Sequence, residues 1–347
     1  MAPHDATIVI VPRERFGSAV ESLESVVKLT ARPYALVYID CASPKHIAAQ
    51  IKLICERHGF SYYRFEEVLS PNAARNTGLR KVSTPYVVFL DNDVIVSEGW
   101  LEALLSCARE TGAEVVAPLT CQKEPLHSEI HQAGGEFAAD HRAFLAAPPE
   151  DRRITDVHVL QGAKVMDVTL KRAETQCCEF HCALVRTDVF ARIGELDERL
   201  LATKEHIDFC MTVWASGGTV LFEPESVVTY LFPGRNNPLI RGDRKFFALR
   251  WSPQWQQKSL DHFQAKWSLH RDPYFERRRH QLTWRLTEGI GKPLLSRVPF
   301  VHRSHRLRTF ALKVLTAALT KWSDRLVRTH RSPARNSHMS NGSNPAR

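Results

Sequence analysis

The sequence predicts an α/β fold with a mostly parallel central sheet. In the first third of the chain, short runs rich in valine and aromatic residues alternate with amphipathic segments of helical length. This alternation is typical of strand–helix–strand crossover units, whose strands pair in parallel and carry helices on both faces of the sheet. Aspartates directly follow two of these runs, at the sheet edge where open α/β folds bind their ligands.

The individual elements follow from the spacing of the apolar residues. Short apolar runs predict strands, and apolar residues three and four positions apart predict helices. Residues 127–180 contain a glycine pair and a proline pair, which predict irregular structure with some antiparallel strands. The predicted strands are 7–11, 34–39, 62–65, 86–90, 114–118, 180–186, 220–222 and 227–230, and the predicted helices are 17–29, 44–58, 72–79, 98–110, 187–193 and 205–216.

The composition indicates a protein with a sizeable core. The chain has 347 residues, of which 44% are hydrophobic, enough for one large or two small domains. No stretch approaches the ~20 apolar residues of a membrane span, and the N-terminal residues do not have the pattern of a secretory signal. Eight cysteines without paired spacing predict reduced thiols in a cytoplasmic protein. Cys177, Cys178, His181 and Cys182 do not have zinc-finger spacing, so we interpret them as structural residues.

The net charge of +9 is concentrated near the C-terminus. Residues 271–347 contain 17 Lys and Arg against 4 Asp and Glu, which leaves 30 and 34 in the rest of the chain. Within this region, residues 303–328 form an apolar stripe at helical spacing with basic residues beside it. Such a helix either docks on the catalytic domain or makes peripheral contact with an anionic membrane. The slightly acidic remainder of the chain does not predict nucleic-acid binding.

The apolar run 86–90 ends in Asp91, Asn92 and Asp93, the most informative segment of the sequence. Two carboxylates at the carboxyl end of a buried strand project into the ligand crevice of an open sheet. Hard oxygen ligands suit Mg²⁺ or Mn²⁺, and these ions commonly hold substrate phosphates. The segment therefore predicts a metal clamp for a diphosphate, with an Asp/Asn turn as the alternative.

An ordered series of segments over residues 7–255 resembles glycosyltransferase family 2, the nucleotide-sugar transferases with a GT-A fold. The resemblance implies a GT-A domain (7–260) after an N-terminal lead (1–6). The charge and apolar spacing near the C-terminus predict a basic helical extension (261–330), and the lack of apolar residues after it predicts a disordered tail (331–347). The segments that carry it are Ile8–Pro12, Tyr38–Ser43, Ala74–Gly78, Phe89–Asp93, Cys182–Arg186, Ile193–Arg199 and Lys204–Phe209.

The resemblance also implies an activity and a set of site residues. It implies an inverting transferase that moves a sugar from a nucleotide-diphosphate donor to a hydroxyl on a glycan or lipid-linked acceptor, with Mg²⁺ or Mn²⁺ as cofactor, in glycan or polysaccharide biosynthesis. Asp93 corresponds to the metal ligand, and Asp91 to a residue that serves the ribose or the metal. Asp40 corresponds to the residue that binds the base, and Arg75 and Asn76 lie where the family binds the nucleotide or its phosphates.

Three positions depart from the family pattern. Cys41 replaces the second aspartate of the nucleotide strand, and Tyr230 replaces a histidine that often binds the metal. The acidic helix reads Glu205-His206-Ile207-Asp208, with His206 where the catalytic base is usually assigned. Glu205 and His206 are both candidates for the base, and Asp208 is expected to orient or cap. The departures leave a second hypothesis, a catalytically impaired GT-A protein that binds nucleotide or glycan without turnover.

Overall fold

The computed structural model describes residues 4–13, 15–155, 157–231, 238–271, 273–299, 301 and 304–330. The predicted tail, 331–347, lies outside these residues, as does the start of the N-terminal lead. The strands are β1 (Ala6–Val11), β2 (Ala35–Cys41), β3 (Ser61–Phe65), β4 (Tyr86–Asp91), β5 (Val94–Val96), β6 (Val115–Gln122), β7 (Glu129–Gln132), β8 (Gly135–Glu136), β9 (Val157–His158), β10 (Ala173–Glu174), β11 (Cys182–Arg186) and β12 (Val220–Tyr230).

The helices cover both faces of the sheet and form most of the C-terminal region. Short 3₁₀ turns occupy Pro149–Asp151 and Val165–Asp167, and a π-helical turn, Thr287–Gly291, joins two of the helices. The helices are α1 (Ala19–Leu29), α2 (Lys45–His58), α3 (Pro71–Leu79), α4 (Trp100–Thr111), α5 (His141–Ala146), α6 (Val189–Ile193), α7 (Glu205–Ala215), α8 (Asp243–Arg250), α9 (Pro253–Lys266), α10 (Pro273–His280), α11 (Trp284–Leu286), α12 (Lys292–Leu295) and α13 (His305–Thr329).

The central sheet has the order β3-β2-β1-β4-β11-β6-β12-β10. Strands β3, β2, β1 and β4 are parallel, and β11 is antiparallel to both β4 and β6. Since β4 and β6 are both antiparallel to β11, they run in the same direction, and β12, which is parallel to β6, runs in that direction too. The α/β class with a mostly parallel sheet is confirmed. The residues of β1 and β4 are almost completely buried, as expected for parallel strands covered on both faces.

Strand register brings the candidate site residues to one edge of the sheet. Val11 at the end of β1 is opposite Asp91 at the end of β4. The short strand β5 pairs with the end of β12, so that Val94 is opposite Tyr230. Helix α3 packs closely on β1, and a Cβ at Gly78 would lie 2.2 Å from Val9 Cγ1. The ends of β1, β4 and β12 therefore surround the aspartates.

Strand β12 differs from the sequence prediction of two short strands. Residues 220–230 form one strand with an irregularity between Glu223 and Val227. Both halves pair with β6, first with 115–118 and then with 119–122, and this pairing carries the strand through the polar segment that breaks the apolar pattern. The small strands β5 and β7 to β10 have two to four residues each, too short a run for a strand pattern to be detected from sequence.

The C-terminal helices dock on the α/β domain. The main core continues through Phe263, Leu269 and Phe275, so the predicted boundary after residue 260 lies inside α9 and within one packing unit. A second apolar cluster, which includes Phe247, Trp251 and Leu319, holds α13 against this region. None of the helices in the described part of the chain combines the length and apolar content that a membrane crossing requires.

Candidate active site

Asp91 lies at the end of β4 and is completely buried. Its Oδ1 accepts a hydrogen bond from Arg75 Nη2 (2.9 Å), and its Oδ2 accepts one from Arg13 Nη1 (3.1 Å). His181 Nδ1 is 3.3 Å from the same Oδ2. Burial alone would raise the pKa of Asp91, but Arg75, His181 and Arg13 hold it well below its usual value. Asp91 is therefore an anion fully surrounded by cationic and imidazole groups.

Asp93 is equally buried but has a different environment. Neither of its carboxylate oxygens has a hydrogen-bond partner among the described residues. The Nε of Arg15 is 4.0 Å from Oδ2. Burial, opposed by Arg15 and reinforced by Asp91, raises the pKa of Asp93 to about 6. Because a buried carboxylate without donors is costly, the site fits a cation in contact with Asp93.

His181 is a third potential ligand that the sequence analysis assigned to a structural role. One ligand atom from each of Asp91, Asp93 and His181 lies within 4.8 Å of the others. The imidazole stacks on Tyr230 with ring centroids 4.0 Å apart. Tyr230, which replaces the expected histidine, thus supports the histidine that directly precedes β11. The signal was available in principle, because His181 lies within the predicted strand 180–186, and β11 pairs with β4.

Asn92 explains why an amide separates the two aspartates. Its Oδ1 accepts a hydrogen bond from the backbone N–H of Arg13 (3.1 Å), and its Nδ2 donates to the carbonyl of Arg15 (2.8 Å). These two bonds fix the loop after β1 against the end of β4. The loop in turn places the Arg13 side chain beside Asp91 and the Arg15 side chain beside Asp93.

Glu205, the first residue of α7, belongs to the same cluster. It is buried, and its Oε1 accepts a hydrogen bond from Arg250 Nη2 (2.9 Å). Its Oε2 has no hydrogen-bond partner in the described part of the chain. Burial lowers the pKa of Arg75, and the nearby charges of Asp91 and Glu205 raise it. This electrostatic coupling connects Glu205 to the aspartates through Arg75.

The other two residues of the acidic helix have different positions. The carboxylate of Asp208 accepts hydrogen bonds from Lys266 Nζ (2.7 Å) and Trp267 Nε1 (2.8 Å), so it anchors α7 to the end of α9. Burial raises the pKa of Asp208, against the effect of Lys266. His206 is half-buried. The structure therefore places Glu205 in the charged cluster, whereas the hydrogen bonds of Asp208 hold α7 against the end of α9.

Asp40 and Asn76 do not join the cluster. Asp40 is two strands away from Asp91, about 10 Å across the sheet. Its carboxylate accepts hydrogen bonds from Ser43, Tyr62 and Arg64, with the shortest at 2.6 Å. The side chain of Asn76 binds the backbone of Leu196 in both directions, at 2.9 and 3.0 Å.

A cavity of about 160 Å³ opens beside the strand end that carries Asp40. Ala42, which follows β2, and Val68, which follows β3, line one side of it. Lys245 of α8 and Leu326 of α13 line the other side. The cavity lies at the carboxyl ends of parallel strands, where open α/β sheets bind ligands, and the last turns of α13 form part of its wall.

Comparison with known proteins gives consistent matches. Residues 7–194 match the family model described as "Glycosyl transferase family 2". The chain is 50% identical over 160 residues to a pre-mycofactocin glycosyltransferase of Mycobacterium tuberculosis (strain CDC 1551 / Oshkosh), an alignment that covers 46% of this chain and 30% of that protein. It is 30% identical over 145 residues to an uncharacterized glycosyltransferase of Rickettsia felis (strain ATCC VR-1525 / URRWXCal2), which covers 41% of this chain and 23% of that protein. The matched region thus spans less than a third of either relative.

Among solved structures, the chain is similar to the crystal structure of GalNAc-T7 with UDP, GalNAc and Mn²⁺. The TM-score is 0.52 at 16% sequence identity, and the match covers 85% of this chain and 58% of that one. At this identity the similarity shows the fold, and it confirms the predicted GT-A architecture with additional C-terminal helices.

Proposed function

The chain belongs to glycosyl transferase family 2 and is a glycosyltransferase, and from this premise we propose a metal-dependent, inverting transfer of a sugar from a nucleotide-diphosphate donor to a hydroxyl acceptor. One observation carries the proposal. Asp93 is a completely buried carboxylate that accepts no hydrogen bond from any described residue, adjacent to Asp91 and His181 and 4.0 Å from Arg15 Nε. Such an arrangement is costly unless a cation and an anionic ligand occupy it.

Asp91, Asp93 and His181 would hold the divalent ion. Two carboxylates and one imidazole favour Mn²⁺ over Mg²⁺, because Mg²⁺ prefers oxygen ligands only. When bound there, the ion acts as a Lewis acid that offsets charge on the departing nucleotide diphosphate. The crystal structure of GalNAc-T7, solved with UDP and Mn²⁺, supports the same pairing of nucleotide and metal in this fold.

The arginines would bind the diphosphate. Arg13 and Arg75 pair with Asp91 in this structure, and each presents several donors in a planar fork. A diphosphate at the edge of β4 would share these donors with Asp91. The base would then extend toward the end of β2, where Asp40 and the 160 Å³ cavity lie. Asn76 supports this region by holding the segment around Leu196 on α3.

We assign the role of general base to Glu205. Inversion requires a group that removes the proton of the acceptor hydroxyl, and within the described ranges Glu205 Oε2 has no competing hydrogen bond. Arg250 orients the carboxylate through Oε1. His206 is the alternative base, and a Glu205→Gln variant that retains full transfer would favour it. Asp208 positions the helix through Lys266 and Trp267.

The acceptor is proposed to be a glycan or a lipid-linked sugar, consistent with glycan or polysaccharide biosynthesis at the cytoplasmic face of a membrane. Helix α13 supports peripheral membrane contact, because Leu307, Phe310 and Val314 are exposed along one side of it. Lys313 and Lys321 belong to the same helix and suit anionic lipid headgroups. The mycobacterial relative is named for pre-mycofactocin, which makes that molecule the first specific acceptor to test.

A panel of nucleotide sugars, with and without Mn²⁺, tests the proposal. The expected result is Mn²⁺-dependent thermal stabilisation by one donor and slow, Mn²⁺-dependent hydrolysis of the same donor. Asp93→Ala should remove both responses, whereas the exposed control Asp151→Ala should retain them. Donor binding without hydrolysis or transfer would support the catalytically impaired alternative. An Mn²⁺ response of Asp93→Ala equal to that of the parent would refute the clamp.

A further inference from the structure

A second group of potential metal ligands lies beside the candidate active site. His131 comes from β7, His158 from β9, and Glu179 from the segment between β10 and β11. One ligand atom of each residue lies within 4.8 Å of the others. We call these three residues the His-Glu cluster. Three separate chain segments converge here, although no part of the sequence has metal-site spacing.

The distances in the His-Glu cluster are close to those between ligands of one metal ion. His131 Nε2 is 2.9 Å from Glu179 Oε2, and His158 Nε2 is 3.7 Å from Glu179 Oε1. The two imidazole rings are nearly perpendicular, with centroids 4.9 Å apart. All three side chains are largely buried. Ligand atoms at a tetrahedral Zn²⁺ are about 3.3 Å apart when the metal–ligand distances are about 2.0 Å, so small movements would complete the site.

The hydrogen bonds of His131 are compatible with a cation at Nε2. Gln122 Nε2 donates to Glu129 Oε1 (2.8 Å), which orients Gln122 Oε1 toward His131 Nδ1 (3.2 Å). His131 Nδ1 must therefore carry a proton. In the neutral imidazole, Nε2 then presents a lone pair to the Glu179 carboxylate, and two acceptors would face each other at 2.9 Å. Either a second proton or a metal ion must lie between them, and a histidine that donates to an amide oxygen from its other nitrogen is the usual arrangement around a metal.

We propose that His131, His158 and Glu179 bind a transition-metal ion of the zinc class, separate from the ion at Asp91 and Asp93. Two imidazoles and one carboxylate form a donor set that Zn²⁺ commonly occupies. His181 lies between the two sites, with Nε2 2.8 Å from Glu179 Oε2 and Nδ1 3.3 Å from Asp91 Oδ2. An ion in the His-Glu cluster would fix Glu179 and thereby position the His181 ring against Asp91. This site does not depend on the proposed transfer reaction.

Metal titration of chelator-treated protein tests the proposal. Co²⁺ serves as the probe, because its visible absorption reports histidine and carboxylate coordination, and Zn²⁺ content is measured separately by elemental analysis. The parent should bind Zn²⁺, and added Zn²⁺ should displace bound Co²⁺. Asp93→Asn should retain the Co²⁺ signal, since the His-Glu cluster is intact. His158→Ala should weaken binding by at least about tenfold. The exposed control His46→Ala should behave as the parent does.

A further variant guards against a folding defect in His158→Ala. Glu179→Gln keeps the shape of the side chain and removes the anionic ligand. This variant and His158→Ala are compared in the Asp93→Asn background, because the intact group Asp91, Asp93 and His181 would otherwise bind Co²⁺ as well. In that background Glu179→Gln should lose the Co²⁺ signal while circular dichroism remains unchanged. If Asp93→Asn binds no Co²⁺, the cluster is a protonated hydrogen-bond network and the proposal is wrong. Equal Co²⁺ affinity of Asp93→Asn with and without Glu179→Gln would overturn it as well. Neither outcome depends on donor hydrolysis.

Discussion

Replacing Asp93 by Asn should have opposite effects on stability in the absence and presence of metal. In the metal-free protein, the ionised Asp93 is buried with no hydrogen-bond donor from the part of the chain that the structure describes, and its pKa is raised to about 6. The unfolded value is near 3.9. A rise of about two units corresponds to about 3 kcal/mol of destabilisation at pH 8, an upper value, because Arg15 loses its nearest carboxylate in the variant. Asn carries no charge, so this cost disappears.

The pH dependence follows from the direction of the shift. A carboxyl whose pKa is raised by folding is penalised above the folded value, and the penalty fades as the pH falls through 6 toward the unfolded value. With a chelator present, Asp93→Asn should therefore unfold at a higher temperature than the parent at pH 8. The difference should be on the order of 4 °C at pH 8 for a chain of this length, about half as large at pH 5, and close to zero by about pH 3.

Metal reverses the order of the two proteins. Thermal unfolding with Mn²⁺ at pH 8 should show stabilisation of the parent that grows with the logarithm of Mn²⁺ concentration, and no such response in Asp93→Asn. Asp151→Asn, on an exposed turn, is the matched control and should respond as the parent does. The reasoning fails if metal-free Asp93→Asn is less stable than the parent at pH 8, or if both respond equally to Mn²⁺.

Four further substitutions, one of them with an exposed control, test other parts of the structure. Glu205→Gln should lower transfer by about 10²–10⁴-fold with little change in unfolding temperature. Asp208→Asn should instead reduce the free energy of unfolding by about 1–3 kcal/mol, because it weakens the bonds to Lys266 and Trp267. The reverse pattern would exchange the roles of Glu205 and Asp208. Gly78→Ala should destabilise the protein by ~1–3 kcal/mol in denaturant unfolding, since the new Cβ would overlap Val9, and an unchanged midpoint would contradict the close packing of α3 on β1. If the Phe310 ring enters the bilayer, Phe310→Ser should weaken co-sedimentation with anionic vesicles by about tenfold or more. The control Leu53→Ser changes an exposed residue of α2 and should sediment as the parent does. Equal sedimentation of the parent and both variants would exclude α13 as the membrane contact.

The sequence was sufficient for the fold and for part of the site. The valine-rich run that ends in Asp91, Asn92 and Asp93 could be predicted as a buried strand without knowledge of distant contacts, because such strands are recognised from their own apolar residues. The apolar stripe of α13 is local in the same sense, and the structure shows how it is divided. Leu319 packs on the domain, and Phe310 remains exposed.

The choice among residues of the acidic helix required the folded chain. Glu205 and Asp208 are one turn apart, and the sequence placed them on a common face. In the structure, Arg250 reaches Glu205 from α8, and Lys266 and Trp267 reach Asp208 from the end of α9. These partners are 45 and about 58 positions away along the chain. Among the described residues, these contacts leave Glu205 Oε2 without a hydrogen-bond partner, whereas both carboxylate oxygens of Asp208 accept a hydrogen bond.

Local pattern thus determined where the carboxylates lie, since a strand and the residues that end it are specified by adjacent side chains. Tertiary structure alone decided what surrounds them. Arg13 comes from the loop after β1, 78 positions before Asp91. His181 directly precedes β11, the antiparallel strand that pairs with β4. Charge, burial and hydrogen bonding at a site depend on distances between chain segments, and those distances are set only when the sheet assembles its strands in an order different from the order along the chain.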